Sequence, residues 1–511
     1  MHHQTADNAG RLSADVKVTG MVPTIAIFSW PIVVIVLFRK YSQHLAVAVS
    51  IVAAYLLLPV QGGIDLPLLP PINKNTVVVI AILLVLLSLD KRARTTQALP
   101  GWLPKPLLLR LLILGAVGGA MMTVVMNGDR VFYGNRVLPA LRLYDAFSAM
   151  LGAALMLLPM LLARKYLARP EHHVLLLTVL CVAGLCYSLL AAYELRMSPQ
   201  LNRMVYGFFP HSWAQHVRGG GYRPLVFLAH GLQLAIFFTG AVIAACSLMR
   251  IHVERKRTLY IFAIVWLVAI QVMSKSFGAL AITVVLAPLV VFLSVRTQLI
   301  VAACLAVLVV SYPLSRGAGM IPVDGVQNFI ARSDPQRAAS LGVRLAHEEA
   351  LLEKASVRPV FGWGGWGRSR IYDENGQDVT IADGYWAIAI GVGGWVKYLS
   401  EFLMMGGAVV LLALRQRIYN VGPETAALAL ITAGWMVDLL PNSALTPLLW
   451  LVVGALWGRF ELGRITDTAE APDTAEQTRA VRYRRQPQNR PTRGRPTTYA
   501  RVKSPQSTPT L

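Results

Sequence analysis

The sequence has 511 residues, of which 55% are hydrophobic and 14% charged, and its mean hydropathy is +0.54. A soluble domain carries about 25% charged residues, so this composition excludes an ordinary soluble protein. The formal net charge of +22 does not indicate nucleic-acid binding, because much of it lies in one polar segment at the end of the sequence.

The apolar residues are grouped in runs of roughly 17 to 25, each long enough to cross ~30 Å of hydrocarbon as a helix. Since backbone hydrogen bonds must be satisfied internally in lipid, we predict an all-α polytopic membrane protein with about 12–13 transmembrane helices. No small-residue cleavage site follows the first run, so we expect that run to stay in the membrane. The predicted helices begin near Val22, His44, Thr76, Leu107, Tyr144, His173, Leu225, Thr258, Gly278, Gln298, Gly391, Pro423 and Ala444.

The chain divides into three regions. Residues 1–21 form a polar N-terminal segment, residues 22–460 form the transmembrane domain, and residues 461–511 form a basic tail. The tail places arginines among Pro, Thr, Gln and Ser, so we predict that it is disordered and attracted to anionic lipid head groups. Two long loops, 194–224 and 316–384, are predicted to form a small cap over the bundle.

Lysine and arginine residues fall largely in alternate short loops, which the positive-inside rule makes cytoplasmic. The tail then lies on the cytoplasmic side and both long loops lie outside. The residues concerned are Arg39, Lys40, Lys91, Arg92, Arg94, Arg164, Lys165, Arg169, Arg250, Arg255, Lys256, Arg257, Arg296, Arg415 and Arg417. The four cysteines lie within apolar runs, and the polar loops contain no metal-ligand spacing, so we expect neither a metal site nor a cofactor.

In the first long loop, Arg223 directly precedes a predicted helix and follows an aromatic and glycine-rich segment that contains His211, Arg218 and Tyr222. Arg223 can be read as an interfacial anchor that reaches lipid phosphates. It can also be read as a fixed guanidinium that binds a phosphate group through paired hydrogen bonds.

The second long loop contains a predicted helix from Arg337 to Glu353, on which Arg337, Arg344 and Glu348 fall near a common face. A surface ion pair between Arg344 and Glu348 accounts for part of this pattern, whereas a bound diphosphate accounts for both arginines. Asp383 brings the chain back to the membrane, so we expect it near the surface at which Arg223 lies.

From Tyr206 to Leu414 the chain resembles the O-antigen polymerase and O-antigen ligase family, bacterial glycosyltransferases that use lipid diphosphate-linked sugars on the periplasmic face. The resemblance rests on the order of several short motifs rather than on any one of them. They are Tyr222-Arg223-Pro224, Ser274-Lys275-Ser276 with Gly278, Arg337, Ser340 and Arg344 followed by Pro359, Gly362 and Gly364, and Asp383-Gly384-Tyr385-Trp386 before Gly391 and Gly394.

The resemblance implies a multi-pass protein of the bacterial inner membrane that polymerises lipid-linked oligosaccharide repeat units for O-antigen or exopolysaccharide. Ligases of the family have a His near the position of Asp383 or Gly384, and this chain has none there, which favours polymerisation over transfer to lipid A-core. A polyprenyl diphosphate-linked oligosaccharide would be the donor, and a chain-length regulator or another assembly protein a partner. A transporter or flippase of lipid-linked glycan is the alternative of another class, and a purely structural assembly protein is a further one.

In this hypothesis Arg223 and Arg344 stabilise charge on the leaving diphosphate, with support from Arg337 and Arg218. Asp383 is the first candidate for the general base, and Glu348 and His347 are the next candidates. The remaining predicted substrate-binding residues are His211, Tyr222, Lys275, Trp363, Trp366 and Tyr385.

Overall fold

A computed structural model describes residues 20–66, 69–88, 97–218, 220–252, 256–320, 325, 327, 331–332, 335–380 and 383–464. For Arg218 and for residues 335–338, 340 and 341, which include Arg337, it describes only the backbone. The predicted polar N-terminal segment and basic tail lie almost wholly outside the described residues.

The described part of the chain is mostly helical, as the apolar runs predict. The helices are α1 Met21–Lys40, α2 Gln43–Leu57, α3 Lys74–Ser88, α4 Leu107–Val125, α5 Leu143–Tyr166, α6 Pro170–Met197, α7 Leu201–Tyr206, α8 Gly231–Ile251, α9 Arg257–Met273, α10 Phe277–Phe292, α11 Val295–Gly317, α12 Pro335–Ser356, α13 Tyr385–Tyr419, α14 Pro423–Asp438 and α15 Pro447–Leu462. Two short antiparallel pairs complete the fold, β1 Val131–Tyr133 with β2 Arg136–Leu138 and β3 Val217–Arg218 with β4 Gly221–Tyr222.

Seven of the described helices, α1, α4, α5, α6, α8, α11 and α13, are long and apolar enough to cross a membrane. Four further apolar helices, α2, α3, α9 and α10, have 15 to 17 residues, and α14 and α15 have 16 each. A helix begins near each predicted start. A multi-pass membrane protein is therefore confirmed, and the count of 12–13 crossings stays a prediction.

Two predicted helix starts, Leu225 and Gly391, differ by six residues from the structure, in which α8 begins at Gly231 and α13 begins at Tyr385. Leu225 lies in a turn in which the buried carboxylate of Glu194 accepts hydrogen bonds from the amides of Leu225 and Val226 at 2.9 and 2.8 Å. The next helix, α8, begins only after His230, whose side chain accepts a hydrogen bond from the amide of Leu232. Glu194, expected at the start of the first loop, belongs to α6, because α6 continues to Met197.

The chain runs back and forth between two ends of the bundle. The end that carries the long connections 126–142, 198–230 and 318–384 is called the loop end, and the opposite end is called the basic end. Arg39, Lys40, Arg164, Lys165 and Arg250 all lie in the last turns of helices that finish at the basic end. The charge alternation expected from the sequence is therefore present in the fold.

Helix α13 is broken at Gly394, where φ is +65° and ψ is −167°. The break exposes backbone groups on both sides, and the segment 359–364 satisfies them. The amides of Trp363 and Gly364 donate to the carbonyls of Gly391 and Val392, each at 2.9 Å. On the other side, the amides of Trp395 and Val396 donate to the carbonyls of residues 359 and 360 at 2.8 and 3.2 Å. The second long loop is thereby joined to the interior of the bundle.

Candidate functional site

The second long loop packs against residues 126–142, a connection that the sequence analysis did not include in the cap. We call residues 126–142 and 357–380 the loop cluster. The β1–β2 turn rests on the second loop so closely that a Cβ on Gly134 would lie 2.0 Å from the carbonyl oxygen of Glu374. The rings of Tyr133 and Tyr372 are 4.7 Å apart. The 126–142 connection therefore packs with the second loop, and a cap over the bundle stays a prediction.

Asp129 holds the two halves of the loop cluster together. Arg358 donates to both of its carboxylate oxygens, at 3.0 and 2.7 Å. Arg368, which is fully buried, donates to Oδ1 of Asp129 at 3.2 Å and to the carbonyl of Pro139 at 2.9 Å. The hydrogen bond from Arg358 holds the pKa of Asp129 below its usual range. Sequence reasoning missed Asp129; the available signal was a polar Asn127–Arg130 turn between two apolar runs.

A second charged cluster lies where the second loop returns to the bundle. Nε of Arg344, on α12, is 3.0 Å from Oδ2 of Asp383, which immediately precedes α13. Glu348 lies one turn beyond Arg344 on α12. It interacts electrostatically with Asp383, Arg344 and Arg316. The structure therefore brings together three of the predicted catalytic residues, Arg344, Glu348 and Asp383. We call these three residues the Arg344 cluster.

Glu348 and Asp383 occupy different environments within the Arg344 cluster. Oε2 of Glu348 is buried and finds no hydrogen-bond partner among the residues that the structure describes, and burial raises the pKa of this carboxyl to about 7. The carboxylate of Asp383 is partly exposed and is held by the guanidinium of Arg344. A base that operates near neutral pH needs a pKa close to that pH. Glu348 meets this requirement, which favours it over Asp383, the first candidate from the sequence.

A cleft of about 440 Å³ lies next to the Arg344 cluster. Its walls include Leu351, one turn from Glu348 on α12, and Ala387, in the first turn of α13 after Asp383. Ser369, Arg370 and Thr380 from the second loop supply polar groups. The cleft is large enough for a small organic ligand.

A groove of about 260 Å³ lies between α4, α5 and α13. Its walls are formed mainly by small or apolar side chains, and Lys397 contributes an ammonium group. The cleft and the groove share three lining residues, Gly365, Trp366 and Val392. A polar cleft beside a charged cluster thus adjoins an apolar groove on the flank of the bundle.

Arg223 lies between β4 and α8, at the loop end. It is 3% exposed, and one of its terminal nitrogens donates to the carbonyl oxygen of Lys275 at 3.0 Å. Among the residues that the structure describes, no hydrogen bond or ion pair joins Arg223 to Arg344 or Asp383. The expected proximity of Arg223 and Asp383 stays a prediction, and Arg223 itself is a buried residue.

Several of the other predicted residues surround Arg223. Lys275 has a φ of +53°, and its ammonium would lie 2.6 Å from a Cβ built on Gly221 in β4. The ring of His211 lies 4.8 Å from the ring of His230. The turn 274–276 and the β3–β4 hairpin, which includes Arg218 and Tyr222, thus pack together. A role in substrate binding stays a prediction for all of these residues.

The predicted aromatic residues differ in what they offer a ligand. The hydroxyl of Tyr385 donates to Glu401 at 2.7 Å and its ring stacks on Phe402, so Tyr385 faces the interior rather than a sugar. Trp363 donates from Nε1 to the carbonyl of Lys354 at 2.8 Å, and the guanidinium of Arg358 lies 4.3 Å from its ring centroid. Trp366 is 59% exposed and lines both the cleft and the groove. Of the three, Trp366 is best placed to contact a ligand.

Two predicted residues of α12 remain. His347, next to Glu348, is half-buried, and its role as a base stays a prediction. The side chain of Arg337 lies outside the described residues.

No protein-family model matches the chain, and a search of curated proteins finds no significant match. Function must therefore be argued from the site itself.

Proposed function

We propose that this protein is a membrane glycosyltransferase that polymerises lipid-linked oligosaccharide repeat units. The donor would be a glycan on polyprenyl diphosphate, and the acceptor a sugar hydroxyl at the periplasmic face of a bacterial inner membrane. The observation that carries the proposal is the Arg344 cluster beside a polar cleft that adjoins a membrane-flanking groove. That combination suits a substrate with a charged head group and a hydrocarbon tail.

The chemistry requires only the residues of this site and the two substrates. Glu348, as carboxylate, accepts the proton of the acceptor hydroxyl while the hydroxyl oxygen forms a bond to the anomeric carbon. The bond between that carbon and the diphosphate oxygen breaks, and the electron pair leaves with the polyprenyl diphosphate. Arg344 moves from Asp383 to the diphosphate and stabilises the developing negative charge. The products are a lengthened glycan, free polyprenyl diphosphate and a protonated Glu348, which then releases its proton to solvent.

Asp383 has a positioning role in this scheme. Before the substrate binds, its Oδ2 lies 3.0 Å from Nε of Arg344 and so holds the guanidinium in place. An arginine held in place loses less side-chain entropy when a phosphate arrives. Asp383 also adds negative charge near Glu348 and so contributes to the raised pKa of that carboxyl.

The test is glycan transfer by purified protein in lipid nanodiscs, supplied with a polyprenyl diphosphate-linked oligosaccharide and followed by mass spectrometry of the glycan. Arg344→Lys keeps the charge but loses the paired N–H geometry, so we expect turnover to fall at least about 100-fold. The matched control is Arg417→Lys, an exposed position at the basic end, which should leave turnover unchanged. Equal turnover in wild type and Arg344→Lys would refute the role of Arg344.

The acceptor distinguishes the alternatives. A polymerase lengthens the lipid-linked oligosaccharide, whereas an O-antigen ligase transfers it only when lipid A-core is added. A transporter or flippase makes neither product and moves the intact donor across a vesicle membrane. Product formation with the oligosaccharide as sole substrate is the result that the proposal requires.

A further inference from the structure

Lys397 is the charged residue in the wall of the groove between α4, α5 and α13. Its ammonium is paired with Glu401 one turn further along α13. The two side chains are exposed unequally, 28% for Lys397 and 1% for Glu401. The positive member of the pair therefore faces the groove, and the negative member lies behind it.

The arrangement behind Lys397 fixes the position of its ammonium. The other carboxylate oxygen of Glu401 accepts a hydrogen bond from the hydroxyl of Tyr385 at 2.7 Å. The aliphatic stem of Lys397 lies over Gly393, where a Cβ would approach the stem to 2.4 Å. An ammonium group has three donors, and the pair with Glu401 uses one of them, so the others can bind an anion in the groove.

The height of Lys397 along the bundle matches that of a lipid head group. Beyond the break, residues 395–419 of α13 extend over ~37 Å at 1.5 Å per residue, which is more than the ~30 Å of a hydrocarbon core. Lys397 lies in the first turn of this spanning part, at its loop end. The groove extends ~10 Å along α4 from Thr123 to Ala116, and Lys397 lies beside this stretch, because Gly119 of α4 faces Val396 and Gly115 faces Ser400.

We propose that this groove is the binding site for the polyprenyl diphosphate, with Lys397 at the phosphate that carries the lipid, Arg344 at the phosphate that carries the sugar, and the first isoprene units between α4 and α5. The identity of the lipid rests on the proposed function. The shared wall at Gly365 and Trp366 would lead the glycan from the diphosphate into the cleft.

Small side chains keep the groove open. Ala120 on α4 and Ala153 on α5 line it from opposite helices. On the neighbouring face of α4, a Cβ on Gly119 would meet Val396 at 2.8 Å, so α4 and α13 pack closely behind the groove. A large side chain at Ala120 therefore fills the groove rather than pushing the helices apart.

The binding test uses native mass spectrometry of detergent-purified protein, which reads lipid occupancy without any turnover. Undecaprenyl diphosphate, dioleoyl phosphatidylglycerol and inorganic pyrophosphate are added separately. We expect the first to bind at the lowest concentration. Ala120→Phe should weaken its binding about ten-fold or more by filling the groove. Leu111→Phe, on the exposed face of α4 outside the groove (55% exposed), is the matched control and should bind as wild type.

The charge is tested by Lys397→Gln combined with Glu401→Gln, which leaves no buried charge without a partner. This double variant should unfold at a temperature near that of wild type and bind undecaprenyl diphosphate about ten-fold more weakly. Its binding of phosphatidylglycerol should change little. Wild-type binding of undecaprenyl diphosphate by the double variant, or by Ala120→Phe, would overturn the proposal.

The other ligands separate the possible sources of phosphate. Equal affinity for phosphatidylglycerol would make this a general anionic-lipid site and overturn the assignment to a polyprenyl chain. Equal affinity for pyrophosphate would show that the apolar groove contributes nothing to the binding of undecaprenyl diphosphate, and would overturn the proposal. If undecaprenyl diphosphate binds in the groove but no glycan is transferred, the proposed function is wrong and the lipid site stands. If glycan is transferred but Ala120→Phe binds undecaprenyl diphosphate as wild type does, the lipid site is wrong and the proposed function stands.

Discussion

Gly362 and Gly394 meet at the break in α13, and neither position has room for a side chain. A Cβ on Gly362 would lie 2.6 Å from the amide nitrogen of Gly394, and a Cβ on Gly394 would lie 2.3 Å from the carbonyl oxygen of Val360. Both residues also have positive φ, +64° and +65°. The contact between the second loop and the broken helix therefore depends on glycine at both positions.

Replacing either glycine should destabilise the protein. Gly394 has backbone angles that are essentially restricted to glycine, so Gly394→Ala should cost about 1–3 kcal/mol before the clash with Val360 is counted. We expect a lower unfolding temperature in detergent and faster proteolysis of residues 357–380. Gly278→Ala is the control, because no atom lies within 4 Å of its Cβ position. An unchanged unfolding temperature for Gly394→Ala would show that the break is not needed for stability.

The pH dependence of transfer should report Glu348. Because burial raises the pKa of this carboxyl to about 7, the carboxylate form that accepts a proton is lost as the pH falls below 7. Turnover of wild type should therefore drop toward pH 5 and level off above pH 8. Glu348→Gln should have low turnover at every pH, and its turnover should not drop further toward pH 5. A wild-type profile that is flat between pH 5 and 8 would exclude Glu348 as the base.

The same raised pKa makes a prediction about stability. The folded state favours the protonated form of Glu348, so its contribution is present at acidic pH and is lost as the pH rises through about 7. Glu348→Gln should unfold at a higher temperature than wild type at pH 8, and the difference should shrink at pH 5. Thermal unfolding at the two pH values measures it. A larger gain in unfolding temperature for Glu348→Gln at pH 5 than at pH 8 would contradict this prediction.

Asp129 should hold the 126–142 connection to the second loop. In Asp129→Ala, Arg358 and the fully buried Arg368 lose their carboxylate partner. We expect faster hydrogen exchange in both halves of the loop cluster, while exchange in the helices stays unchanged. Because the pKa of Asp129 is held below its usual range, the ion pairs persist at neutral pH and are lost only under acid. Glu374→Ala, an exposed carboxylate of the same cluster, should have no such effect.

Orientation in the membrane can be tested with a membrane-impermeant thiol reagent on intact cells. Cys186 and Cys304, the exposed native cysteines, are first replaced by Ala. A cysteine at Asn375 in the loop cluster should then be labelled, and one at Arg417 at the basic end should be labelled only after lysis. Labelling of the Arg417 position alone in intact cells would reverse the orientation and move the proposed site to the cytoplasm.

The sequence by itself determined the class of the protein and the positions of its helices. Apolar runs in a chain with few charges leave the helix as the structure that satisfies the backbone in lipid. The alternation of basic and other loops likewise follows from where Lys and Arg lie along the sequence. The helix α12, which carries Arg344 and Glu348, was predicted from local spacing alone, because neighbours on one face of a helix are fixed by its period.

Only the tertiary structure decided which of the predicted residues meet. Arg344 pairs with Asp383 at the far end of the second loop, whereas Arg223 donates to the carbonyl of Lys275, and local spacing in the sequence predicts neither contact. Arg358 finds Asp129, 229 residues earlier, a pairing that no local pattern indicates. The preference for Glu348 as base has the same origin: Glu348 and Asp383 are both carboxylates in the sequence, and the burial of Glu348, which depends on packing, raises the pKa of its carboxyl.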